Sequence, residues 1–135
     1  MSHEIQQREH EGIVILDLKS RITVGPEASA LREKVASVTA AGSKNIILNL
    51  AHVDYIDSTG LGAMVMCSTT VRKAGGSLKL ENLNRRNIEL LVMTKLATVF
   101  DLFTDEQDAI NSFFPDRAIK AFDILNFVEQ MKKEE

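Results

Sequence analysis

The sequence predicts an α/β domain in which helices pack against a mixed, four- to five-stranded sheet. Short apolar or alternating runs that suit strands take turns with stretches of helical spacing along the chain. The connections between the strands are long enough to hold a helix, as parallel pairing requires. No Ser- or Gly-rich linker and no internal repeat interrupts the 135 residues, so the length indicates one domain.

The first third of the chain is predicted to form strands and one helix. Residues 5–11 are polar and suit a short edge strand. Residues 13–18 begin with β-branched side chains and end with alternating apolar and polar ones, which is typical of a strand. Residues 21–24 suit a short extended segment. Pro26 fits the first turn of a helix over residues 27–41, where apolar side chains recur at helical spacing.

The middle third is predicted to form a strand, a loop, a helix and a second strand. An apolar run over residues 45–50 indicates a buried strand, and residues 51–57 are read as the loop that follows it. Helical spacing begins at residue 59 and predicts a helix to residue 74. Residues 77–83 alternate with period two, which predicts a strand with one exposed face.

The last third continues the alternation. Asn84 can cap a helix over residues 85–95. Residues 99–103 suit a last short strand. Thr104, with a Gln three residues later, matches a capping-box pattern for a helix over residues 105–113.

Composition limits the classes of function. The net charge of −3 and the scattered basic residues argue against a nucleic-acid surface. A single cysteine, Cys67, cannot form an internal disulfide, and the N-terminus lacks the pattern of a signal peptide. No apolar run approaches the roughly 20 residues that a membrane-spanning helix needs. We therefore expect a cytoplasmic protein that does not insert into a membrane.

The chemically distinctive stretch lies between the predicted strand 45–50 and the helix after it. It reads Asp57-Ser58-Thr59-Gly60-Leu61-Gly62. Ser58 is expected at the N-cap or in the first turn, where unpaired backbone N–H groups and the helix dipole tolerate an added anion. Gly60 and Gly62 remove side chains, so another surface could approach closely. A capping Ser followed by turn glycines is the purely structural alternative, and it stays open at this point.

Enzymatic interpretations of this stretch are weaker. A hydrolase elbow needs Gly two residues before its serine, but position 56 is Ile. A dinucleotide loop needs a third glycine where Val65 stands, and no P-loop pattern is present. The three histidines and one cysteine make no metal-ligand spacing, so we expect neither a metal nor a cofactor. A small serine hydrolase using Ser58 remains the alternative from another functional class.

Four segments together resemble the STAS domain family, and more narrowly the bacterial anti-sigma factor antagonists. They are residues 45–50, 53–62, 75–80 and 96–101, and the likeness extends over about residues 5–114. The resemblance implies a STAS fold for residues 1–114. Residues 115–135 would then be a helical extension of the same domain.

The resemblance also implies a mechanism called partner switching. The unphosphorylated antagonist binds an anti-sigma factor that is also a serine kinase, and the sigma factor is released. The kinase phosphorylates the serine after the Asp of the motif, here Ser58, and a serine phosphatase reverses the change. Thr59 is the second candidate acceptor. The expected partner-facing residues are Asp57, Thr59, Gly60, Leu61, Gly62 and Thr23.

Two departures from the family pattern leave alternatives open. The loop over residues 20–26, which contains Thr23, is expected near the phosphorylation site and differs from many antagonists. The tail is read as a helix over about residues 117–132, apolar on more than one stripe, which suggests either broad packing on the domain or a homodimer. A STAS subunit of a lipid ABC transporter and a stressosome-like scaffold are the alternative binding functions.

Overall fold

In the computed structural model, which describes residues 5–134, a five-stranded sheet carries helices on both faces. The strands, in their order across the sheet, are β1 (Gln6–His10), β2 (Ile13–Ile22), β3 (Asn45–Ile56), β4 (Ser77–Glu81) and β5 (Leu102–Phe103). The helices are α1 (Pro26–Ala40), α2 (Ser58–Lys73), α3 (Arg85–Met93), α4 (Glu106–Asn111) and α5 (Ile124–Lys133). β1 is antiparallel to β2, whereas the other neighbouring strands are parallel. The predicted α/β class and mixed sheet are confirmed.

The core has two layers because successive side chains of a strand point to opposite faces of the sheet. On one face, the alternate residues Leu16 and Leu48 belong to the larger apolar cluster, which also contains buried side chains of α1, α2 and α3. On the other face, Ile15 and Ile47 pack with Ala109 of α4 and its neighbours. The continuous apolar runs of β2 and β3 therefore reflect burial on both sides.

Four predicted boundaries are wrong, and those at the ends of β2 and β3 matter for the site. β2 continues to Ile22, and β3 continues through residues 51–56, which were expected to be a loop, because Ile22 pairs with Ile56. β5 is only Leu102–Phe103, shorter than the strand expected over residues 99–103. The N-cap of α4 is Asp105 rather than Thr104, and its side chain accepts from the backbone N–H of Asp108 at 3.1 Å.

β4 has no exposed face, contrary to its period-two pattern, because α4 covers the side that was expected to meet water. The polar residues on that side are buried Lys79 and Glu81. Lys79 Nζ donates to the hydroxyl of Ser112 at 2.8 Å and lies 4.4 Å from the ring centroid of Phe113. Glu81 is 0% exposed, and burial, reinforced by the neighbouring Glu106 carboxylate, raises its pKa to about 9.

The C-terminal extension is less helical than the sequence predicts. Residues 117–123 are irregular. Within them the Phe122 N–H donates to the carbonyl of Leu102 at 3.0 Å, so Phe122 lies along the edge of β5. Asp123 then caps α5. The half-buried residues of α5 share one face, so the expected second apolar stripe is wrong; they are Ile124, Phe127, Val128 and Met131.

Candidate functional site

The site is built around the junction between β3 and α2, where Asp57 is the single connecting residue. Its backbone is extended (φ −93°, ψ 179°), and its Oδ1 accepts from the Gly60 N–H at 2.7 Å. Asp57 is therefore the N-cap of α2, and Ser58 is the first helical residue. Of the two positions expected for Ser58, the structure selects the first turn.

The second carboxylate oxygen of Asp57 ties a neighbouring loop to the helix. Its Oδ2 accepts from the Val24 N–H at 3.0 Å, and the Asp57 N–H donates to the Ile22 carbonyl at 3.2 Å. The hydrogen bond from Gly60, followed by that from Val24, holds the pKa of Asp57 below its usual range. The ionised Asp57 side chain thus links the β2–α1 loop (residues 23–25) to the start of α2, and we call this link the Asp57 clamp. Its low pKa makes Asp57 a poor general base.

The β2–α1 loop lies beside the phosphorylation candidate, as expected for residues 20–26. Thr23 is half-buried, and its hydroxyl donates to Glu27 Oε1 at 3.0 Å in the first turn of α1. Val24 is exposed at the loop tip. The loop therefore presents the Val24 side chain and part of Thr23 on the surface next to Ser58.

The motif residues divide between surface and interior, so they do not form one continuous rim. Ser58, Thr59 and Gly62 are exposed, whereas Gly60 is buried and Leu61 is only 4% exposed in the core. A Cβ at Gly60 would stand 1.8 Å from the Ile22 carbonyl oxygen. The interpretation of Gly60 as clearance for a partner is therefore wrong in this structure, since the clearance serves the protein's own strand. A Cβ at Gly62 meets nothing within 4 Å.

On the side away from Val24, Ser58 borders a groove of about 270 Å³ between the end of β3 and α3. Tyr55, Arg86 and Met93 line the same groove. The Arg86 guanidinium lies 4.8 Å from the centroid of the Tyr55 ring, and Met93 is 75% exposed. The sequence patterns did not predict these residues as part of the site. They could have been found because the carboxyl ends of adjacent parallel strands meet at one edge of a sheet, and these residues lie at or after the ends of β3 and β4.

The thiol of Cys67 and the metal-ligating residue types are the remaining groups with reactive side chains in the described part of the chain. Burial raises the pKa of the Cys67 thiol to about 12, which disfavours a thiolate nucleophile. Within residues 5–134, no group of three or more His, Cys, Asp or Glu side chains is placed to hold a metal ion. In the same part of the chain, no helix combines the length and apolarity needed to cross a membrane.

Comparison with known proteins supplies the family. The model of the STAS domain matches residues 4–109. The chain belongs to the STAS domain family. It is 34% identical over 110 residues to the anti-sigma-B factor antagonist of Bacillus subtilis, a match that covers 82% of this chain and 99% of the relative. The family and the narrower resemblance to anti-sigma factor antagonists are both confirmed.

Solved structures of STAS proteins have the same fold. The phosphorylated form of the Bacillus cell fate determinant SpoIIAA superposes with a TM-score of 0.64 at 18% identity, covering 82% of this chain and 99% of that one. An anti-sigma factor antagonist from Mycobacterium paratuberculosis gives a TM-score of 0.70 at 18% identity, covering 81% and 92%. At such identities the likeness concerns the fold, and the predicted STAS fold is confirmed.

Proposed function

We propose that this protein is an anti-sigma factor antagonist that acts by partner switching, with Ser58 as its phosphoacceptor. The observation that carries the proposal is the placement of an exposed Ser58 directly after the Asp57 clamp. The similarity to the Bacillus subtilis antagonist, which extends over nearly the whole of that relative, supports it. Its partners are an anti-sigma factor that is a serine kinase and, in the phosphorylated state, a serine phosphatase. The exchange takes place in the cytoplasm.

In this proposal the chain is a substrate and a binding surface rather than an enzyme. Ser58 Oγ attacks the γ-phosphorus of ATP on the kinase, the bond to the β–γ bridging oxygen breaks, and ADP leaves. The hydroxyl proton passes to a base of the kinase. The phosphatase adds water across the phosphorus–oxygen bond and restores the Ser58 hydroxyl. Asp57 holds Ser58 in place throughout.

Phosphorylation opposes binding through charge and volume. The phosphate adds about −1.5 to −2 charges at pH 7, next to the ionised carboxylate of Asp57. The unphosphorylated surface that meets the kinase comprises Ser58, Thr59 and Gly62, bordered by Asp57 and Thr23. Gly60 and Leu61 support that surface from the interior. A phosphate at its centre separates the two proteins without a change of fold.

The test is incubation with a candidate anti-sigma serine kinase and ATP, followed by phosphopeptide mapping. Wild type and Thr59→Ala, the matched control for the neighbouring hydroxyl, should be labelled on Ser58, whereas Ser58→Ala should not. Calorimetry should then show that Ser58→Asp binds the kinase more weakly than wild type. Labelling that survives Ser58→Ala would refute the assignment, and wild-type binding by Ser58→Asp would refute the repulsion mechanism.

The homodimer expected through residues 117–132 stays a prediction. Leu125 is 75% exposed on α5, beside the face that packs on the domain, so it is the contact that such a dimer would use. Light scattering should then give a dimer mass for wild type and a monomer mass for Leu125→Glu. Identical monomer masses would exclude the dimer.

A further inference from the structure

A phosphate on Ser58 would find the end of α2 already occupied. The Asp57 carboxylate accepts from the Gly60 N–H at 2.7 Å, and it also accepts from the Val24 N–H. A phosphate that took over the Gly60 N–H would have to displace this ionised carboxylate and release the β2–α1 loop. Because the phosphate and the carboxylate are like charges on adjacent residues, repulsion directs the phosphate away from the Asp57 carboxylate.

The groove on the other side of Ser58 contains a suitable cation. Of the residues that line it, Arg86 carries the positive charge. The two carboxylates of the lining are already engaged: Asp57 accepts from the Gly60 and Val24 N–H groups, and Glu89 is paired with Arg85 at 3.3 Å. The Arg86 guanidinium stacks on Tyr55 at 4.8 Å, a weak contact at an exposed site. The neighbouring Arg85 points elsewhere, since it forms ion pairs with both Glu89 and Glu134.

We propose that Arg86 receives the phosphate of phospho-Ser58 in the groove between β3 and α3. This inference rests on the proposed function, because it concerns the phosphorylated form of the same site. The guanidinium exchanges its contact with Tyr55 for paired N–H···O bonds to two phosphate oxygens, a geometry that arginine provides and lysine does not. The phosphate then lies in the groove while attached to Ser58, so its charge and volume stay at the partner surface.

The test needs no kinase, because phosphoserine can be placed at position 58 during synthesis of the full chain. The second pKa of a phosphoserine is about 6 in the absence of partners. A ³¹P NMR titration should show a value at least about half a unit lower in the Arg86 protein than in Arg86→Gln. Arg85→Gln, which removes the same charge from the adjacent residue, should keep the low value, and Arg86→Lys should keep part of it.

Tyr55 provides a second readout that a general charge effect would not move. The sequence contains one tyrosine and no tryptophan, so intrinsic tyrosine emission reports on this groove alone. Phosphoserine at position 58 should change that emission in wild type and in Arg85→Gln, and should leave it unchanged in Arg86→Gln.

Three outcomes would overturn the inference. They are equal phosphate pKa values in wild type and Arg86→Gln, equal effects of the Arg85 and Arg86 substitutions, and a Tyr55 signal indifferent to phosphorylation. Failure of every kinase to label Ser58 would instead refute the proposed function. That failure would leave the result on the synthetic phosphoprotein intact.

Discussion

The two glycines of the motif should respond in opposite directions to the same substitution. In Gly60→Ala the new Cβ would stand 1.8 Å from the Ile22 carbonyl oxygen and 2.6 Å from its carbon. Ordinary C···O contacts are about 3.3 Å, so β2 and α2 must move apart by about 1.5 Å. That movement strains two hydrogen bonds: the one from the Asp57 N–H to the Ile22 carbonyl, and the capping bond from the Gly60 N–H to the Asp57 carboxylate.

The magnitude follows from these contacts. Overpacking costs about 1–3 kcal/mol, toward the upper end where the obstacle is backbone, and a weakened cap adds a fraction of about 1 kcal/mol. We expect Gly60→Ala to lose about 3 kcal/mol of unfolding free energy and about 10 °C of melting temperature. Gly62→Ala meets open space in a helix and should gain about 0.5–1 kcal/mol.

Urea unfolding followed by far-UV circular dichroism measures both changes. If Gly62 gives clearance to the partner, Gly62→Ala should be more stable than wild type and yet bind the kinase more weakly. That combination separates a binding defect from a folding defect. A Gly60→Ala protein as stable as Gly62→Ala would refute the close approach of α2 to β2 on which this reasoning depends.

The remaining predictions concern two carboxylates. Asp57→Ala should lose about 1–2 kcal/mol of unfolding free energy at pH 7, and Asp57→Asn should lose about half as much. In the Asn variant the amide oxygen can still accept from the Gly60 N–H, whereas the amide nitrogen cannot accept from the Val24 N–H. Equal urea midpoints for the two variants would contradict this expectation. The pKa of Glu81 is raised in the folded state to about 9, so its contribution to stability is fully present below about pH 4.5 and is lost as the pH rises through about 9. Thermal unfolding should show Glu81→Gln close to wild type at pH 5 and increasingly more stable than wild type toward pH 9, whereas a constant difference across that range would show that Glu81 titrates normally.

Much of the architecture follows from local patterns in the sequence. Pro26 and Asn84 mark helix starts where the structure has them, and the apolar runs of β2 and β3 indicate buried strands. The placement of Ser58 at the strand–helix junction is readable for the same reason. Periodicity and capping residues act over a few positions, so they are visible without knowledge of the neighbours.

The details of the site were decided by contacts between segments distant in the sequence. Both Asp57 and Ser58 are good caps, and Asp57 takes the position because β3 stays paired with β2 as far as Ile56 and because the Val24 N–H needs an acceptor. The same approach of β2 makes Gly60 an interior residue rather than a surface one.

The sequence by itself therefore determined the class of fold, the order of its elements and the position of Ser58 at the strand–helix junction. Only the tertiary structure decided the capping residue, the buried face of β4, the irregular course of residues 117–123, and the groove that joins Ser58 to Arg86. The physical reason is that strand pairing, close backbone approach and burial of a polar side chain depend on which segments meet. Local propensity does not contain that information.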